Sequence, residues 1–446
     1  MLKNKVMGGQ GASLMLVGML VLGAAGAQAQ GLGNSPYSRK GLGDFNANTG
    51  GVRQMAMGGV GVAAPNAVNV NELNPALLYY TGRTTFEAGF NGQYKTVKNA
   101  TASNRSGSGT LGYLALSVPL STRWGAAVGL KPLSAVDYES NILKDVAGTP
   151  VATQVLTQSK GTGGISEAYL GQGFRITKAL TLGFTASYIF GVIDETTGTA
   201  VIIGSNSTAT ERSVERQHVR YSDFGFRAGA HYRQKLGKDF NMNLGGVYSF
   251  GYNLNGQQTN TQEREDATTG ALLIPPTLVS DIRSSSYVPP MAQVGVSFDN
   301  DKNWSLNLDV AQQQWSKFHR FNETGSDLSN TWRAGLGGEL TPDPGSVDHY
   351  FQRVTYRAGL TLAQMPYQPG GKTLYDRAVS WGFAFPLPTG SALDATTVSL
   401  AFTYGQRGNT DVLNSTLGTS NVQESYIRGQ LGLTLNNRWF IKRRLQ

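Results

Sequence analysis

Alternation between apolar and polar residues is the feature of this sequence that most limits its fold. In residues 304–310 every even position is apolar and every odd position is polar, and residues 180–190 follow a similar pattern. Successive side chains of a strand point to opposite faces, so the pattern predicts strands with one apolar face and one polar face. From about residue 83 onward we find about fourteen such segments of about 9–13 residues, long enough for a tilted strand to cross a bilayer. They lie near residues 85–94, 110–120, 124–132, 165–176, 180–190, 219–233, 240–250, 290–298, 303–312, 331–340, 352–362, 377–386, 396–405 and 424–435.

The connections between these predicted strands alternate in length. The long ones are polar and rich in Asn, Thr, Ser, Gly and Gln, whereas those between them are short or intermediate. Short turns at one end and long loops at the other are typical of bacterial transmembrane barrels. The sequence therefore predicts an all-β fold, an antiparallel transmembrane β-barrel of about fourteen strands, whose closure leaves no unpaired strand edge. The long connections are residues 95–109, 134–164, 191–218, 251–289, 313–330, 363–376 and 406–423.

Residues 1–29 predict an export signal that is cleaved near Ala29. Lys3 and Lys5 precede the apolar run 12–25, and Ala27–Ala29 supplies the small residues of a cleavage site. The apolar run is too short to anchor the chain across a bilayer. We therefore expect the exported chain to reside in the outer membrane of a Gram-negative cell. The absence of cysteine excludes a lipidated N-terminal cysteine, disulfides and thiolate metal sites.

Residues 30–82 precede the predicted barrel and have a different composition. Residues 30–51 are rich in Gly, Asn and Ser, and residues 52–75 combine small residues with modest polarity. A fourteen-stranded barrel encloses a lumen wide enough to be either plugged or open. We predict that 30–82 folds into this lumen as a plug and that 83–446 forms the barrel, since glycines allow close backbone packing against the wall.

Charged and polar residues that alternate with apolar ones in the predicted strands are expected to face the lumen. An arginine on the lipid face at mid-membrane would cost about 2–4 kcal/mol. Such residues can form a selectivity lining, a surface that binds the plug, or an interior network of ion pairs, and the sequence leaves these alternatives open. The lumen-facing candidates are Glu87, Glu167, Arg175, Asp223, Arg227 and Arg233.

Motifs of other protein classes are incomplete in this chain. Gly59-x-Gly61-x-x-Ala64 lacks the preceding strand of a dinucleotide site, and residues 299–310 lack the Gly and Glu of a calcium loop. The four histidines are not spaced as a zinc pair, and no G-x-S-x-G elbow occurs. We therefore expect no catalytic residues, no enzyme activity, no metal and no cofactor. The Lys and Arg behind the net charge of +9 are scattered, which favours outer-membrane lipid and lipopolysaccharide over nucleic acid as partners.

Short motifs near both ends of the chain resemble a known family. Met57–Ala63 followed by Asn74–Ala76 resembles the region before the first strand in the long-chain fatty-acid transporter family of outer membranes. Ser35–Arg39 with Gly41–Asp44 resembles the N-terminus of a Bacteroidetes branch of such barrels, and Arg438–Lys442 resembles endings seen there. These motifs cover about fifty residues, whereas the rest of the chain agrees in architecture.

The resemblance implies a fourteen-stranded barrel with an N-terminal plug and passive uptake of small hydrophobic compounds such as fatty acids. Apolar residues within the long connections 134–164 and 251–289 are candidates to line an access groove for such a ligand. Related barrels of this group serve a secretion machinery without transporting lipid, so a subunit that binds a protein partner at its external loops is the second expectation. A general porin is the third, and the N-terminal segment argues against it. The plug-motif candidates are Met57, Gly58, Gly59, Gly61, Asn74 and Pro75.

Overall fold

The computed structural model describes residues 35–39, 41–45, 50–149, 151–204, 208–323, 325–387, 395–414 and 419–437. The predicted export signal and the Arg438–Lys442 motif lie outside these residues. One short helix, α1 (Val52–Ala56), and 3-10 turns at Pro36–Arg39, Pro75–Tyr80, Trp315–Lys317, Tyr350–Gln352 and Pro369–Gly371 accompany the strands. The strands are β1 (Asp44–Phe45), β2 (Thr84–Lys98), β3 (Ser103–Ser121), β4 (Trp124–Asp145), β5 (Thr153–Arg175), β6 (Leu180–Ile203), β7 (Glu211–Lys235), β8 (Asn241–Ser249), β9 (Tyr252–Asp266), β10 (Leu272–Val288), β11 (Met291–Asp299), β12 (Trp304–Gln313), β13 (Thr331–Leu340), β14 (Thr355–Gln364), β15 (Tyr375–Leu387), β16 (Ala395–Gly408), β17 (Val412–Asn414), β18 (Thr419–Ser420) and β19 (Gln423–Asn437).

Antiparallel pairing of the last long strand with the first closes the sheet. β19 pairs with β2 from Gln423 opposite Lys98 to Asn437 opposite Thr84. β8 and β9 are successive segments that together occupy one strand position of the wall. β10 and β11 likewise occupy one position, with two prolines between them. Proline has no backbone N–H, which explains an interruption of the ladder there. The wall therefore has fourteen strand positions, and the predicted fourteen-stranded antiparallel barrel is confirmed.

Much of the chain expected to be loop is strand. The predicted loop 134–164 instead contains the end of β4 and the start of β5, which pair as far as Asp145 opposite Gln154. The loops 191–218 and 251–289 likewise extend β6, β7, β9 and β10. These stretches are rich in Thr, Ser and Gln, and pairing between hairpin strands satisfies their backbone groups while the polar side chains face water.

The extended strands make the barrel much taller on one side. β4, β5, β6 and β7 have 22–25 residues, whereas β12, β13 and β14 have 10 each. About ten residues suffice to cross the hydrocarbon core. We call the part beyond that level the projecting sheet: residues 133–145, 153–165, 190–203, 211–221, β9 and β10. It stands at the loop end of the barrel, opposite the turn end that carries the short connections.

The outer face of the wall is apolar and the inner face is polar, as the alternation predicts. Leu306, Leu308 and Val310 are exposed on β12, whereas Asn307 and Asp309 between them are buried inside. Among the described residues, no helix is both long and apolar enough to cross a membrane.

Arginine in place of Leu308 is expected to destabilise the barrel by about 2–4 kcal/mol, because the charge would enter hydrocarbon. Leu278→Arg is the matched control, since Leu278 is exposed on the projecting sheet. Urea-dependent folding into lipid vesicles measures both variants. Equal stability of the two would contradict the assignment of the outer face of β12 to lipid.

Candidate functional site

The N-terminal segment, residues 35–39, 41–45 and 50–81, crosses the interior of the barrel. Helix α1 contacts β14, β15, β16 and β19, whereas the 3-10 turn Pro75–Tyr80 contacts β4 to β7 on the other side. β1 pairs with β4 at Asp44 and Phe45. A segment that contacts opposite sides of a closed wall lies in its lumen. The division of the chain at residue 82 stays a prediction, as does the role of residues 30–82 as a plug.

Wall glycines allow the backbone of the N-terminal segment to contact the backbone of the strands. A Cβ atom added to Gly359 would lie 2.1 Å from the carbonyl carbon of Met57, and one added to Gly337 would lie 2.1 Å from the Met57 oxygen. Gly58 follows with φ of +75°, a left-handed conformation that glycine adopts without strain. Met57 and Gly58, two of the predicted plug-motif residues, are therefore held by close backbone contact.

The remaining plug-motif residues make polar contacts with the wall and within the segment. The Gly58 carbonyl accepts a hydrogen bond of 2.7 Å from Arg333, which also donates to the Gly59 carbonyl. The N–H of Gly61 donates to Asp309 Oδ2 at 2.7 Å. Asn74 Nδ2 donates a hydrogen bond of 3.1 Å to the Ala230 carbonyl of the wall. Its Oδ1 accepts a hydrogen bond from the N–H of Ala76 and so caps the 3-10 turn that begins at Pro75.

A buried triad of charges fixes helix α1. Arg53 Nη2 lies 2.5 Å from Glu339 Oε1, and Arg357 Nε lies 3.0 Å from Glu339 Oε2. The three side chains are 2%, 13% and 4% exposed, for Arg53, Glu339 and Arg357 in that order. One carboxylate thus joins a cation of the N-terminal segment to a cation of the wall. Removing a partner from a buried charge group leaves an uncompensated charge and is strongly destabilising.

Two of the predicted lumen-facing residues, Glu87 and Arg227, contact the N-terminal segment, and a third, Glu167, lies beside Arg227. Glu87 accepts hydrogen bonds from the Asn69 side chain at 2.8 Å and from the N–H of Val70 at 3.2 Å. Arg227 donates to the Glu72 carbonyl at 3.0 Å and lies 3.7 Å from Glu167. Lys131, which the sequence reasoning did not name, lies 3.5 Å from Glu72 and 3.9 Å from Glu167.

The other three candidates lie elsewhere along the wall, and one of them, Arg175, is close to Tyr79 of the N-terminal segment. Asp223 accepts bonds from the N–H and the side chain of Asn255, where β7 changes its partner from β8 to β9. Arg233 forms ion pairs with Asp299, at 3.2 Å, and with Asp301 near the turn end. The Arg175 guanidinium lies 5.4 Å from the Tyr79 ring centroid. The structure therefore distributes the six residues along the wall, and whether they act as a functional lining stays a prediction.

A second charge cluster near the loop end was missed by the sequence reasoning. Arg407 contacts Asp44 at 2.6 Å and Glu424 at 2.5 Å, and Ser35 donates to Glu424 at 2.7 Å. Glu424 occupies a polar position of the predicted strand 424–435, whereas Arg407 lies in the predicted connection 406–423, which the structure shows to begin as the end of β16. Their meeting with Asp44 carried no signal in the sequence, because 363 residues separate the two partners.

Apolar side chains fill the loop end of the lumen above these charges. The β12–β13 connection contributes Trp315, Phe318, Phe321 and Leu328, which pack with Leu42 of the N-terminal segment. The wall residues of this cluster are Leu133, Val136, Tyr138, Ile165, Ile189, Ile193, Val219, Tyr221, Leu254 and Val288. We call the whole group the apolar cap.

The candidates for an access groove, the apolar residues within 134–164 and 251–289, fall into two groups, of which one belongs to the apolar cap and includes Val136 and Leu254. Ile142, Leu143 and Val151 are exposed at the tip of the β4–β5 hairpin, and Leu272–Ile274 are exposed at the start of β10. For these exposed residues, a role in an access groove stays a prediction. Hairpin extension of the strands carries them beyond the level of the lumen.

Two cavities of about 210 and 230 Å³ remain beside the N-terminal segment. Both are lined by Asp44, Arg333, Asp376 and Arg407, and the first is also lined by aromatic residues of the apolar cap. Among the described residues, no three His, Asp or Glu side chains group as a metal site. That the chain binds no metal or cofactor stays a prediction.

Comparisons with known proteins agree on the barrel. A family model described as BamG matches residues 13–446. The CymD monoaromatic hydrocarbon channel superposes with a TM-score of 0.54 at 15% identity, over 89% of this chain and 100% of that chain. A Pseudomonas aeruginosa FadL homologue gives 0.55 at 14%, over 88% and 99%, and the Pseudomonas putida toluene transporter TodX gives 0.53 at 15%, over 89% and 99%. No curated protein matches the chain significantly.

These neighbours confirm the fold expected from the fatty-acid transporter resemblance, and the outer-membrane location stays a prediction. CymD is described as a hydrocarbon channel and TodX as a toluene transporter. At about 15% identity the likeness concerns the fold alone. The Bacteroidetes branch, the cleavage of the export signal and the absence of enzyme activity stay predictions.

Valine in place of Gly359 is expected to displace the N-terminal segment, because its Cβ would overlap the Met57 backbone. Trypsin should then cleave after Arg53, which is buried in the native barrel. Gly246→Val is the control, since nothing lies within 4 Å of a Cβ there. Protection of Arg53 in both variants would show that the close contact does not hold the segment.

Glutamine in place of Glu339 is expected to lower the free energy of unfolding by roughly 3–5 kcal/mol, because two buried arginines lose their shared carboxylate. Glu211→Gln removes an exposed ion pair with Arg264 and should cost at most about 1 kcal/mol. Urea-dependent unfolding in lipid vesicles compares the two variants. Similar losses would contradict a structural role for the buried triad.

Proposed function

The chain belongs to the BamG family, and from this premise and the filled lumen we propose that it is a closed outer-membrane barrel that binds a protein partner at its loop end. The observation that carries the proposal is that two separate groups of contacts fill the described lumen. Charged and backbone contacts hold the N-terminal segment across it, and the apolar cap packs above. In this proposal residues 35–81 act as a permanent plug.

Several contacts of the plug favour permanence over gating. The Arg53–Glu339–Arg357 triad and the backbone contacts at Gly337 and Gly359 involve β13 and β14, whereas the Arg407 cluster involves β16 and β19. Moving the plug would leave several buried charges without partners, each at a cost of several kcal/mol. A solute pathway through the lumen would require all of these contacts to break.

The projecting sheet supports a binding role. Near its tip, Arg212 and Arg216 form ion pairs of 2.5 Å with Glu265 and Glu263, which stiffen the β7–β9 pairing. Its last strand, β10, pairs along one side with β9, and on its other side the described residues form one isolated bridge, between Tyr287 and His319 near the base of the strand. A sheet that rises beyond the membrane on one half of the barrel presents a large surface to a partner.

Side chains at the two free edges of the projecting sheet differ. The edge of β4 carries Glu139, Lys144 and Asp145, charges of the kind that discourage pairing with other strands. The edge strand β10 has no charge from 272 to 280 and exposes aliphatic side chains. Contiguous exposed apolar residues in water mark interaction sites. The exposed residues of this β10 patch are Leu272, Leu273, Ile274, Leu278 and Val279.

Aspartate at both Leu278 and Val279 is expected to abolish a stable complex, because charge enters the apolar β10 patch. The barrel is extracted in mild detergent from its native membrane, and native gels with mass spectrometry measure the associated proteins. Arg105→Glu, at an exposed position of β3 near the loop end, is the control. A wild-type chain that migrates alone would contradict the proposal.

Uptake of small hydrophobic compounds such as fatty acids is the second candidate. Its support is the fold shared with hydrocarbon channels together with an apolar region at the loop end of the lumen. Trp315 and Phe318 would have to move away for a ligand to enter. Mass spectrometry of small molecules that co-purify with the barrel, compared with an unrelated barrel, separates the candidates. Specific enrichment of a lipophile would favour uptake.

A further inference from the structure

We propose that three neighbouring turns at the turn end form a binding surface for the phosphate groups of anionic phospholipids. The turns connect β3 with β4, β5 with β6, and β7 with β8, and the strands β4 to β7 that they join are adjacent in the wall. We call the surface the basic turn surface. Its cations are Arg123, Lys178, Lys235 and Lys238, and all four are exposed.

These four cations have no ion-pair partner among the described residues, whereas a fifth cation nearby is neutralised. Lys302 donates a hydrogen bond of 2.7 Å to Asp239. This bond and the charge of Lys302 hold the pKa of the Asp239 carboxyl below its usual range. The acidic residue closest in sequence to Lys238 is therefore already engaged, and the surface keeps its positive charge.

Lipid-facing side chains set the depth of the basic turn surface. Trp124 follows Arg123 directly and stacks on Phe174 at 5.7 Å between ring centroids. Ile176 lies two residues before Lys178, and Leu236 lies between the two lysines of its turn. All of these apolar residues are exposed on the outer face. Interfacial tryptophan marks the boundary of the hydrocarbon, so the adjacent cations lie at the level of lipid headgroups.

The β13–β14 connection, at the same end of the barrel, exposes acidic residues instead. They are Asp343 and Asp348, and Arg353 of this connection packs 5.2 Å from the ring centroid of Tyr350. Among the described turns, this connection therefore differs in charge from the basic turn surface. A basic residue near an anionic bilayer surface strengthens binding by about fivefold. Short turns of bacterial barrels face the periplasm, so the ligand is a phospholipid of that leaflet.

The proposal is tested with the full chain and a fourfold variant. The variant carries Arg123→Gln, Lys178→Gln, Lys235→Gln and Lys238→Gln. The matched control removes the same charge from exposed positions at the loop end: Arg105→Gln, Lys144→Gln, Lys160→Gln and Arg283→Gln. Each protein is placed in micelles containing equal amounts of phosphatidylglycerol and phosphatidylethanolamine. Native mass spectrometry then counts the lipid molecules of each kind that remain bound.

The wild type and the control are expected to retain phosphatidylglycerol over phosphatidylethanolamine by about fivefold or more. The fourfold variant should retain the two lipids equally, while keeping the heat-dependent gel shift of a folded barrel. An unchanged lipid ratio in the fourfold variant would overturn the proposal. Loss of a co-purifying acidic protein at an unchanged lipid ratio would overturn it too, and would identify the surface as a protein interface.

Discussion

The rest of this structure depends on the requirement that backbone N–H and C=O groups in hydrocarbon be paired within the protein. Fourteen strand positions close through the pairing of β19 with β2, so no strand edge of the wall meets lipid. Closure creates a lumen, and the lumen must be filled with water or with protein. In this chain the described N-terminal segment fills much of the lumen. The positions of its contacts determine where the wall carries charged side chains, glycines and apolar side chains.

The interior is built with polar contacts because the apolar faces of the strands are directed at lipid. Buried carboxylates such as Glu87, Glu339 and Asp309 hold the N-terminal segment by ion pairs and by hydrogen bonds to its backbone. Wall glycines such as Gly359 allow the backbone of the N-terminal segment to contact the backbone of a strand, because no side chain lies between them. Apolar packing is concentrated in the apolar cap, where the wall extends beyond the membrane and a lipid-facing surface is no longer needed.

A shared barrel does not imply a shared function. The hydrocarbon channels that this chain resembles share its fold, but a likeness at about 15% identity does not extend to their ligands. The differences that bear on function lie in additions to the barrel. The projecting sheet provides surface for a partner, and the apolar cap occupies the place where a hydrophobic ligand would enter. Together with BamG family membership, these features favour a binding subunit.

The sequence by itself determined the barrel, its fourteen strand positions and the inward direction of residues such as Glu87, Glu167 and Arg227. These follow from local alternation, because the two faces of a strand differ at every second residue. Only the tertiary structure decided which inward charges meet, since Arg407 and Asp44 are 363 residues apart and strand alternation contains no information about partners across the lumen. It also decided that polar connections continue as strands and that the β12–β13 connection folds inward. Both depend on pairing and packing with distant residues, which no local pattern records.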